Sequence, residues 1–496
     1  MKLTMSNSRS LTLARPLKAF FAISALANPR TRPPRCAKFF RAVAQTLSAN
    51  IRWAMLGLAL LAGGCGGGGG GNDATTVVTP PQPTYPQHPT VWDEATPASV
   101  GVNAEALSAA LDIAMADGTF SQAVVVIKNG KLIAERYRGI TSAEAESLAA
   151  QLIPEASYYL DQYGERDQES LVTSWSTAKS FTSFLIGIAV AQGHINSIDD
   201  AASQYISEWA GDDRADITIK EILDMRSGLV VMCADPLTRA SRECQTAATA
   251  NSGGNLVFAN DQMTPCIERP RAVAGQSYPW FVGGTVAYFN NAFQYSNCDT
   301  MILGEIVYRA TGQDIQTYAD NNLFSLIHMD AQWWRDQVEV GQANGNYLAY
   351  CCLDTTPRDF AKFGQMLVMG GIWDGSTQRY TDYTQAIQTL DTFYGLQFWR
   401  PCIEGTDENC SRSFISTIGF DGQYIMIDAA QELVIVRTSL YTAIENRSLD
   451  KKLFAAPADP SQSNWVASIP NGIGAGVPST FDYKTLFAGV ADAINP

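Results

Sequence analysis

Histidine is scarce in this chain, which has only three in 496 residues. They are His88, His194 and His328, and none of them lies in a recognisable motif. Histidine is the usual residue that takes the proton of a serine nucleophile. If a serine is the nucleophile here, we therefore expect another residue type to act as its base.

Basic residues are also scarce once the N-terminus is set aside. The chain has 35 Lys and Arg against 49 Asp and Glu. Residues 1–64 contain ten of the basic residues and no acidic one, so the remainder carries 25 − 49 = −24. A body of that charge repels a phosphate backbone, so nucleic acid is not an expected partner.

Metal-binding patterns are missing as well. The cysteines form no CxxC pair and have no histidine beside them, which disfavours a zinc site. No metal or cofactor is expected.

Hydrophobic residues make up 46% of the chain and charged residues 17%, which is enough apolar material for a sizeable core.

Long apolar runs are rare, and the one that stands out is WAMLGLALLAGG at residues 53–64. It follows Arg52 and leads to Cys65 and six glycines, a pattern that resembles a bacterial lipoprotein signal with Cys65 as the lipidated residue. Ala62 stands where leucine is more usual, and the leader is long. An ordinary signal peptide, a membrane anchor and a later start codon are therefore alternatives. No other run approaches the roughly 18 residues of a spanning helix. We expect export to the bacterial periplasm or outer membrane.

Eight cysteines remain after Cys36 and Cys65, an even number that is typical of disulfides in an oxidising compartment. Cys402 and Cys410 are close enough in sequence to close a local loop. We expect the adjacent Cys351 and Cys352 to bond to two different partners.

The chain divides into a leader at residues 1–64, a Gly- and Pro-rich tether at 65–90 and one folded domain at 91–496. Two β-rich runs flank Asn129-Gly130, which predicts a hairpin. Two more runs, Tyr424–Ile427 and Leu433–Thr438, lie near the C-terminus. The pattern predicts an α/β fold with one antiparallel sheet built from both ends of the chain. A helical lobe at roughly 180–390 would be inserted between them.

Several helical patterns support that organisation, and two segments have the character of insertions. Residues 140–170 are acidic and helix-prone, and residues 231–285 are loop-like with three cysteines. Either could shape a substrate entrance, but we expect both to be solvent-exposed insertions without a specific role. The predicted helices are Lys179–Gln192, Ile219–Met225, Asp299–Ala310, Pro357–Met369 and residues 482–494.

The sequence STAKSFTSFLIGIAV places Ser176 three residues before Lys179, at the start of a long apolar helix. Positions i and i+3 share a helix face, so the two side chains can meet. Burial among the apolar neighbours would lower the pKa of Lys179 and make it a base. Ser448 and Lys451 have the same spacing but lie in a polar stretch, and a helix-capping serine with a surface lysine is the alternative for Ser176.

Two further segments complete a candidate site. Tyr295 and Asn297 precede a second apolar helix, where the tyrosine could protonate a leaving group and the asparagine could hold Lys179 or a substrate amide. A core tyrosine with a capping asparagine is the alternative. Further on, Gly422 lies at a strand entry, where glycine lets the backbone approach a ligand closely. Trp175, Trp280 and Trp399 are candidates for lining a hydrophobic pocket, although aromatic residues are more often core.

The order of these elements resembles the serine β-lactamase and penicillin-binding-protein superfamily. The resemblance rests on STAKSFTSFLIGIAVAQG, ITIKEILDMRSGL, YSNCDTMILGEIVYRATG and TTPRDFAKFGQML, and extends over roughly Thr96–Tyr441. It is nearest to the branch of 6-aminohexanoate-dimer hydrolases and family VIII esterases. It implies a two-lobed fold with Ser176 as acylated nucleophile, Lys179 as base and Tyr295 as acid and base. It also implies an oxyanion hole made by the amides of Ser176 and Gln423.

One departure from that superfamily concerns the substrate. β-Lactamases carry Lys-Thr-Gly or His-Thr-Gly where this chain has Phe420-Asp421-Gly422. Asp421 would repel a substrate carboxylate, so a neutral or cationic group is expected there. The expected function is an exported serine hydrolase acting on a small amide or ester. A β-lactamase or D-Ala-D-Ala peptidase and a non-catalytic binding lipoprotein are the alternatives, and the oligomeric state is open.

Overall fold

The computed structural model describes residues 92–151, 155–234, 241–244, 256, 259, 261–275, 277–279, 285–287, 292–336, 345–373, 380–441 and 479–494. The predicted leader, Cys65 and the tether lie outside the described residues, as do Ser448 and Trp280. Within the described ranges, no helix combines the length and apolar character needed to cross a membrane.

A seven-stranded antiparallel sheet forms the centre of the fold, and it joins the two ends of the domain. Strand β1 (Ser121–Lys128) lies between β2 (Lys131–Tyr137) and β16 (Leu433–Ser439), and β15 (Gln423–Asp428) follows on the other side of β16. Asn129 and Gly130 both have positive φ at the β1–β2 turn, as the Asn-Gly hairpin signal requires. The predicted antiparallel sheet built from both chain ends is confirmed.

Three shorter strands extend the sheet beyond β15. Strand β14 (Ile415–Gly419) pairs with β15, and the hairpin of β10 (Tyr394–Gly395) and β11 (Phe398–Trp399) forms the edge next to β14. Only Trp399 and Ser416 pair between β11 and β14. The rest of β14 is therefore available to contact the helical part of the molecule.

Both faces of the central strands are buried, which explains their continuous hydrophobic sequences. Val125 and Ile127 of β1 belong to the core shared with the helical lobe, whereas Val124 and Val126 belong to a second core on the opposite face. Successive side chains of a strand point to opposite faces, so a run of valines supplies both cores at once.

Helices cover the two faces of the sheet. One face packs against α1 (Ala104–Ala114) and α11 (Tyr483–Ile494), which also contact each other. Helix α9 (Pro357–Val368) packs on the other face. Helix α1 was not predicted from the sequence, although Asn103 caps it by accepting a hydrogen bond from the Ala106 amide.

The remaining helices all lie between β2 and β10 in the sequence. The predicted long helices are present with ends shifted by one or two residues. Besides α1, α9 and α11, the helices of the described residues are α2 (Ser142–Gln151), α3 (Ala156–Gln162), α4 (Ala178–Ala191), α5 (Ile219–Leu223), α6 (Met263–Glu268), α7 (Asn297–Thr311), α8 (Ile315–Ala319) and α10 (Thr381–Gln388).

Short strands complete the structure outside the main sheet. A three-stranded sheet has the order β3 (Val172–Thr173), β9 (Leu353–Thr355), β8 (Gln332–Trp333). The other pairs are β4 (Met232–Ala234) with β5 (Ser241–Glu243), β6 (Ser277–Pro279) with β7 (Thr285–Ala287), and β12 (Cys402–Thr406) with β13 (Asn409–Ser413).

The segment at residues 140–170 is not merely a solvent-exposed insertion, contrary to expectation. Tyr159 and Tyr163 are fully buried with stacked rings, and they share a small core with Phe120 and Leu440. Arg138 forms an ion pair with the buried Glu144. The segment has an apolar face that packs against the ends of β1 and β16. This face was missed because the composition of the segment is acidic.

Four disulfides link the eight cysteines that remain after the two N-terminal ones. Cys402–Cys410 closes the β12–β13 hairpin, as predicted. The expectation for Cys351 and Cys352 is wrong, because they bond to each other. The sequence could not show this, since an adjacent pairing depends on the local backbone. The other two pairs are Cys233–Cys244 and Cys266–Cys298.

Helix α9 approaches the sheet most closely at Gly364. A Cβ there would lie 2.5 Å from Val434 Cγ1 and 2.9 Å from Ile425 Cγ2. Gly364→Ala should therefore lower the free energy of unfolding by about 1–3 kcal/mol through overpacking, measured by urea denaturation. Gly211→Ala is the control because a Cβ there meets nothing within 4 Å. Equal midpoints for both variants would contradict this helix–sheet packing.

The Cys351–Cys352 bond can be tested by peptide mapping without reduction. Trypsin releases both cysteines on one peptide, residues 336–358, which contains no other cysteine. We expect that peptide to be uncrosslinked and lighter by two hydrogen atoms than after reduction. Cys266–Cys298 provides the control, since it joins two tryptic peptides. A crosslink from residues 336–358 to any other peptide would show that the adjacent pairing is wrong.

Candidate active site

Ser176 lies at a turn that other elements hold in place. It occupies a short 3₁₀ helix, Trp175–Thr177, which runs directly into α4. Ser174, just before it, is tied to β9: its amide donates to the Leu353 carbonyl and its Oγ accepts from the Leu353 amide, both at 2.9 Å. Ser176 is half-buried, whereas its neighbours in the turn are buried. The turn therefore leaves the serine hydroxyl within reach of a ligand.

Trp175 adopts a strained backbone conformation immediately before the serine. Its φ is +47°, in the left-handed region that non-glycine residues rarely occupy. Such conformations persist only where surrounding contacts impose them, and they cluster at functional sites. The Trp175 ring packs edge-on against Phe420, with centroids 5.9 Å apart.

Lys179 is buried and has three polar neighbours. Its Nζ lies 3.1 Å from Ser176 Oγ, 2.9 Å from Asn297 Oδ1 and 3.1 Å from the Tyr350 carbonyl oxygen. The residue is 1% exposed, and burial lowers the pKa of Lys179 well below its ordinary value. The structure thus brings the predicted serine–lysine pair together on one face of the chain.

The three contacts match the bonding of a neutral amine. A neutral amine has two N–H groups and one lone pair. Asn297 Oδ1 and the Tyr350 carbonyl can only accept, so they take the two hydrogens. The lone pair is then directed at Ser176 Oγ, whose hydroxyl can donate to it. The contacts are therefore compatible with a neutral Lys179 amine, the form that burial favours.

Tyr295 is the third predicted residue at this centre. Its hydroxyl is hydrogen-bonded to Ser176, and burial raises the pKa of Tyr295 above its ordinary value. Its ring lies 4.9 Å from Lys179 Nζ, and the Tyr350 ring lies 5.0 Å from the same atom. Burial thus favours the neutral form of both residues, a phenol that can donate a proton and an amine that can accept one.

Asn297 is held on both sides by interactions within the helical lobe. The preceding Ser296 accepts a hydrogen bond from Arg269, and the following Cys298 forms the disulfide with Cys266. Arg269 also forms a fully buried ion pair with Asp299. These links connect the start of α7 to α6 and fix the amide that binds Lys179.

Tyr350 contributes to the site but was not identified from the sequence. Besides accepting from Lys179, it donates its hydroxyl to Gln262 Oε1 at 2.7 Å. The Cys351–Cys352 disulfide follows directly, and Leu353 then contacts Ser174. This short segment therefore contacts both Lys179 and the turn at Ser174–Thr177, which we call the nucleophile turn after the predicted role of Ser176. A backbone carbonyl carries no sequence signal, so only the structure reveals it.

The two glycines near β15 make room for protein atoms, which corrects the ligand-approach interpretation of Gly422. A Cβ at Gly422 would lie 2.1 Å from Arg437 Nη1, and one at Gly419 would lie 2.3 Å from the Ser174 carbonyl. Arg437 donates to the carbonyls of Asp421 and Gly422. These contacts fix the turn between β14 and β15 against the nucleophile turn.

Gln423 and Asp421 are both buried beside that turn. The Gln423 side chain donates to the Ser439 carbonyl, and its own carbonyl accepts from Thr177 Oγ1 at 3.0 Å. Asp421 is 4% exposed. Burial lowers the pKa of Arg437 to about 9, and Asp421 is one of the groups whose charge partly opposes that shift. The expectation that Asp421 repels a substrate carboxylate stays a prediction, and the structure adds that this side chain is buried.

The two histidines that the structure describes do not belong to this centre. His194 is exposed beyond the C-terminal end of α4, and His328 is exposed with a positive φ of 52°. Among the residues that the structure describes, His, Cys, Asp and Glu form no group of three that could hold a metal ion.

Several known proteins are similar to this chain. A Bacillus anthracis protein described as a 6-aminohexanoate-dimer hydrolase shares 21% identity, over 65% of this chain and 74% of its own, with a TM-score of 0.44. A class C β-lactamase from Rhodobacter sphaeroides shares 14%, over 69% and 95%, with a TM-score of 0.45. A penicillin-binding-protein homologue from Caulobacter crescentus shares 14%, over 73% and 96%, with a TM-score of 0.46.

The family comparison covers the greater part of the molecule. The family model described as Beta-lactamase matches residues 107–439, more than half of the 496-residue chain. The matched region runs from α1 to the end of β16 and contains Ser176, Lys179 and Tyr295. This chain belongs to the beta-lactamase family.

Proposed function

We propose that this protein is an exported serine hydrolase that cleaves a small amide or ester through an acyl-enzyme on Ser176. The family supports serine-hydrolase activity of the β-lactamase type. The observation that carries the proposal is the 3.1 Å contact between Lys179 Nζ and Ser176 Oγ. Both hydrogens of the neutral amine have other acceptors, so its lone pair is free to receive the serine proton.

The proposed reaction proceeds in two stages. Ser176 Oγ attacks the substrate carbonyl carbon while Lys179 takes its proton, and the bond to the alcohol or amine breaks as Tyr295 protonates the leaving group. Water then attacks the acyl-enzyme and gives a proton to the Tyr295 oxygen, while Lys179 returns its proton to Ser176 Oγ as the acid is released. Burial keeps Tyr295 protonated at neutral pH and so supplies the acid. The overall reaction is hydrolysis, and no cofactor enters it.

The developing negative charge on the substrate oxygen requires hydrogen-bond donors. We assign this role to the Ser176 amide and to an amide at the β14–β15 turn, with Gln423 as the candidate from the sequence. The contact between Thr177 and the Gln423 carbonyl, and that between Trp175 and Phe420, support this assignment. Both contacts hold the turn next to the nucleophile.

Ester or amide substrates are preferred over β-lactams because the turn lacks a cation. Phe420, Asp421 and Gly422 stand where β-lactamases carry Lys-Thr-Gly or His-Thr-Gly. The only cation with contacts to this turn in the described residues is Arg437, and it is buried and bound to backbone carbonyls. β-Lactamase or D-Ala-D-Ala peptidase activity remains the second candidate, favoured by the family itself.

Export and lipidation at Cys65 are part of the proposal and rest on the sequence. A basic leader precedes the apolar run that ends at Cys65. The four disulfides of the folded domain are consistent with an oxidising compartment. A lipid at Cys65 would attach the domain to a membrane through the Gly- and Pro-rich tether.

Activation of Ser176 can be tested with a fluorophosphonate probe and intact-protein mass spectrometry. We expect one adduct on the wild type and none on Ser176→Ala. Ser448→Ala is the matched control, since Ser448 has the same spacing to a lysine, and it should be labelled like the wild type. Wild-type protein that has not been treated with the probe should hydrolyse short-chain esters or amides faster than nitrocefin. A folded wild type that takes no label would instead favour a binding lipoprotein.

The role of Lys179 predicts a pH dependence for that labelling. A protonated amine cannot accept the serine proton, so the rate should fall as pH drops through the pKa of Lys179. Because burial lowers this pKa, the rate should reach half its maximum well below pH 10.4, the ordinary value for lysine.

Variants identify the group responsible for the pH profile. Lys179→Arg should slow labelling by roughly 100-fold or more, because arginine stays protonated. Lys131→Arg, at an exposed position of β2, is the control. A half-maximal rate near pH 10.4, or rapid labelling of Lys179→Arg, would contradict the assignment of Lys179 as base.

A further inference from the structure

We propose that an aromatic wall beside Tyr295 binds the leaving group, and that this group is a neutral apolar ring such as a benzyl alcohol. The inference rests on the proposed serine-hydrolase function and adds the class of substrate. The aromatic wall consists of five residues, which are Phe293, Tyr295, Phe393, Tyr394 and Trp399.

The rings of the aromatic wall contact one another continuously. Phe293 lies 4.9 Å from both Phe393 and Tyr394 between ring centroids. Trp399 lies 4.7 Å from Tyr394 and 5.8 Å from Tyr295. The chain of contacts therefore leads from Phe393 to the phenol that touches the nucleophile.

Part of this wall remains open while its base is buried. Tyr295 and Tyr394 are 6% and 2% exposed, and Met225 packs beneath them. Phe293, Phe393 and Trp399 are only half-buried. Aromatic side chains gain most from complete burial, so three partly exposed rings on a buried base form a surface suited to an apolar ligand.

The position of Tyr295 identifies which part of the substrate meets this surface. The phenol protonates the group that departs, so the leaving group must be next to Tyr295 when the bond breaks. The carbonyl side of the substrate would face the other direction, towards Trp175 and Phe420. Because the aromatic wall adjoins Tyr295 and contains no charged member, the leaving group is the part that it contacts.

The hairpin that presents Trp399 is locked to the catalytic helices. Ser180 and Ser183 of α4 donate to the carbonyls of Gln397 and Leu396, at 2.7 and 2.6 Å. Thr300 of α7 donates to Gln397 Oε1 at 2.8 Å. The same α4 carries Lys179 and the same α7 begins with Asn297, so the wall and the proton-transfer groups form one preorganised unit.

A series of butyrate esters isolates this contribution, because all members give the same acyl-enzyme. We expect Trp399→Ala to lower kcat/KM for benzyl butyrate at least 10-fold and for methyl butyrate less than 3-fold. The rate of deacylation, measured after a burst, should not change, since the alcohol has already left. Labelling of Trp399→Ala by the fluorophosphonate probe should match the wild type.

Tyr308→Ala is the matched control, because Tyr308 is an aromatic residue of α7 that is 51% exposed. It should leave both esters unaffected. Equal losses for benzyl and methyl butyrate in Trp399→Ala, or a choline ester hydrolysed better than benzyl butyrate, would overturn the assignment. Those results would leave Ser176 labelling intact, whereas failure of the hydrolase proposal would abolish labelling of the wild type.

Discussion

The burial of one lysine amine is the constraint on which the rest of the site depends. An ammonium group loses its hydration on burial, so burial lowers the pKa of Lys179 and favours its neutral form. A neutral amine is useful as a base only if its lone pair is directed at the hydroxyl to be deprotonated. Asn297 and the Tyr350 carbonyl provide that direction by accepting its two hydrogens. The packing of the helical lobe thus determines both the position of the Lys179 amine and the lowering of its pKa.

This arrangement depends on segments that are far apart in the chain, and two sets of contacts restrain them. The nucleophile turn is hydrogen-bonded to Leu353 of β9. Asn297 is fixed by the Cys266–Cys298 disulfide and the Arg269–Asp299 ion pair. A buried ion pair contributes little net stability but strongly penalises a missing partner. Its value here lies in fixing one arrangement of the start of α7.

The sheet contributes to function through its edge. Strand β14 meets the nucleophile turn, where Gly419 and Gly422 admit Ser174 and Arg437 at distances no Cβ would allow. Next to it, the β10–β11 hairpin is anchored to α4 and α7 by buried serine, threonine and glutamine side chains. Two aromatic contacts are associated with this part of the sheet, Trp175 with Phe420 at the β14–β15 turn and Tyr295 with Trp399 at the hairpin. A hydrolase with this arrangement could select acyl group and leaving group through separate contacts.

The sequence alone determined the local structure and the identity of the central residues, because both follow from short-range pattern. Asn129-Gly130 dictates a hairpin, and the spacing of Ser176 and Lys179 puts them on one helix face. Only the tertiary structure decided which backbone atoms complete the site, and Tyr350 shows why: every residue has a carbonyl, so none is marked in the sequence. The bond between Cys351 and Cys352, the burial of Asp421 and the aromatic surface around Trp399 likewise arise from packing between distant segments. The sequence gives the type and charge of each residue, but the fold decides how exposed each side chain is and which atoms it contacts.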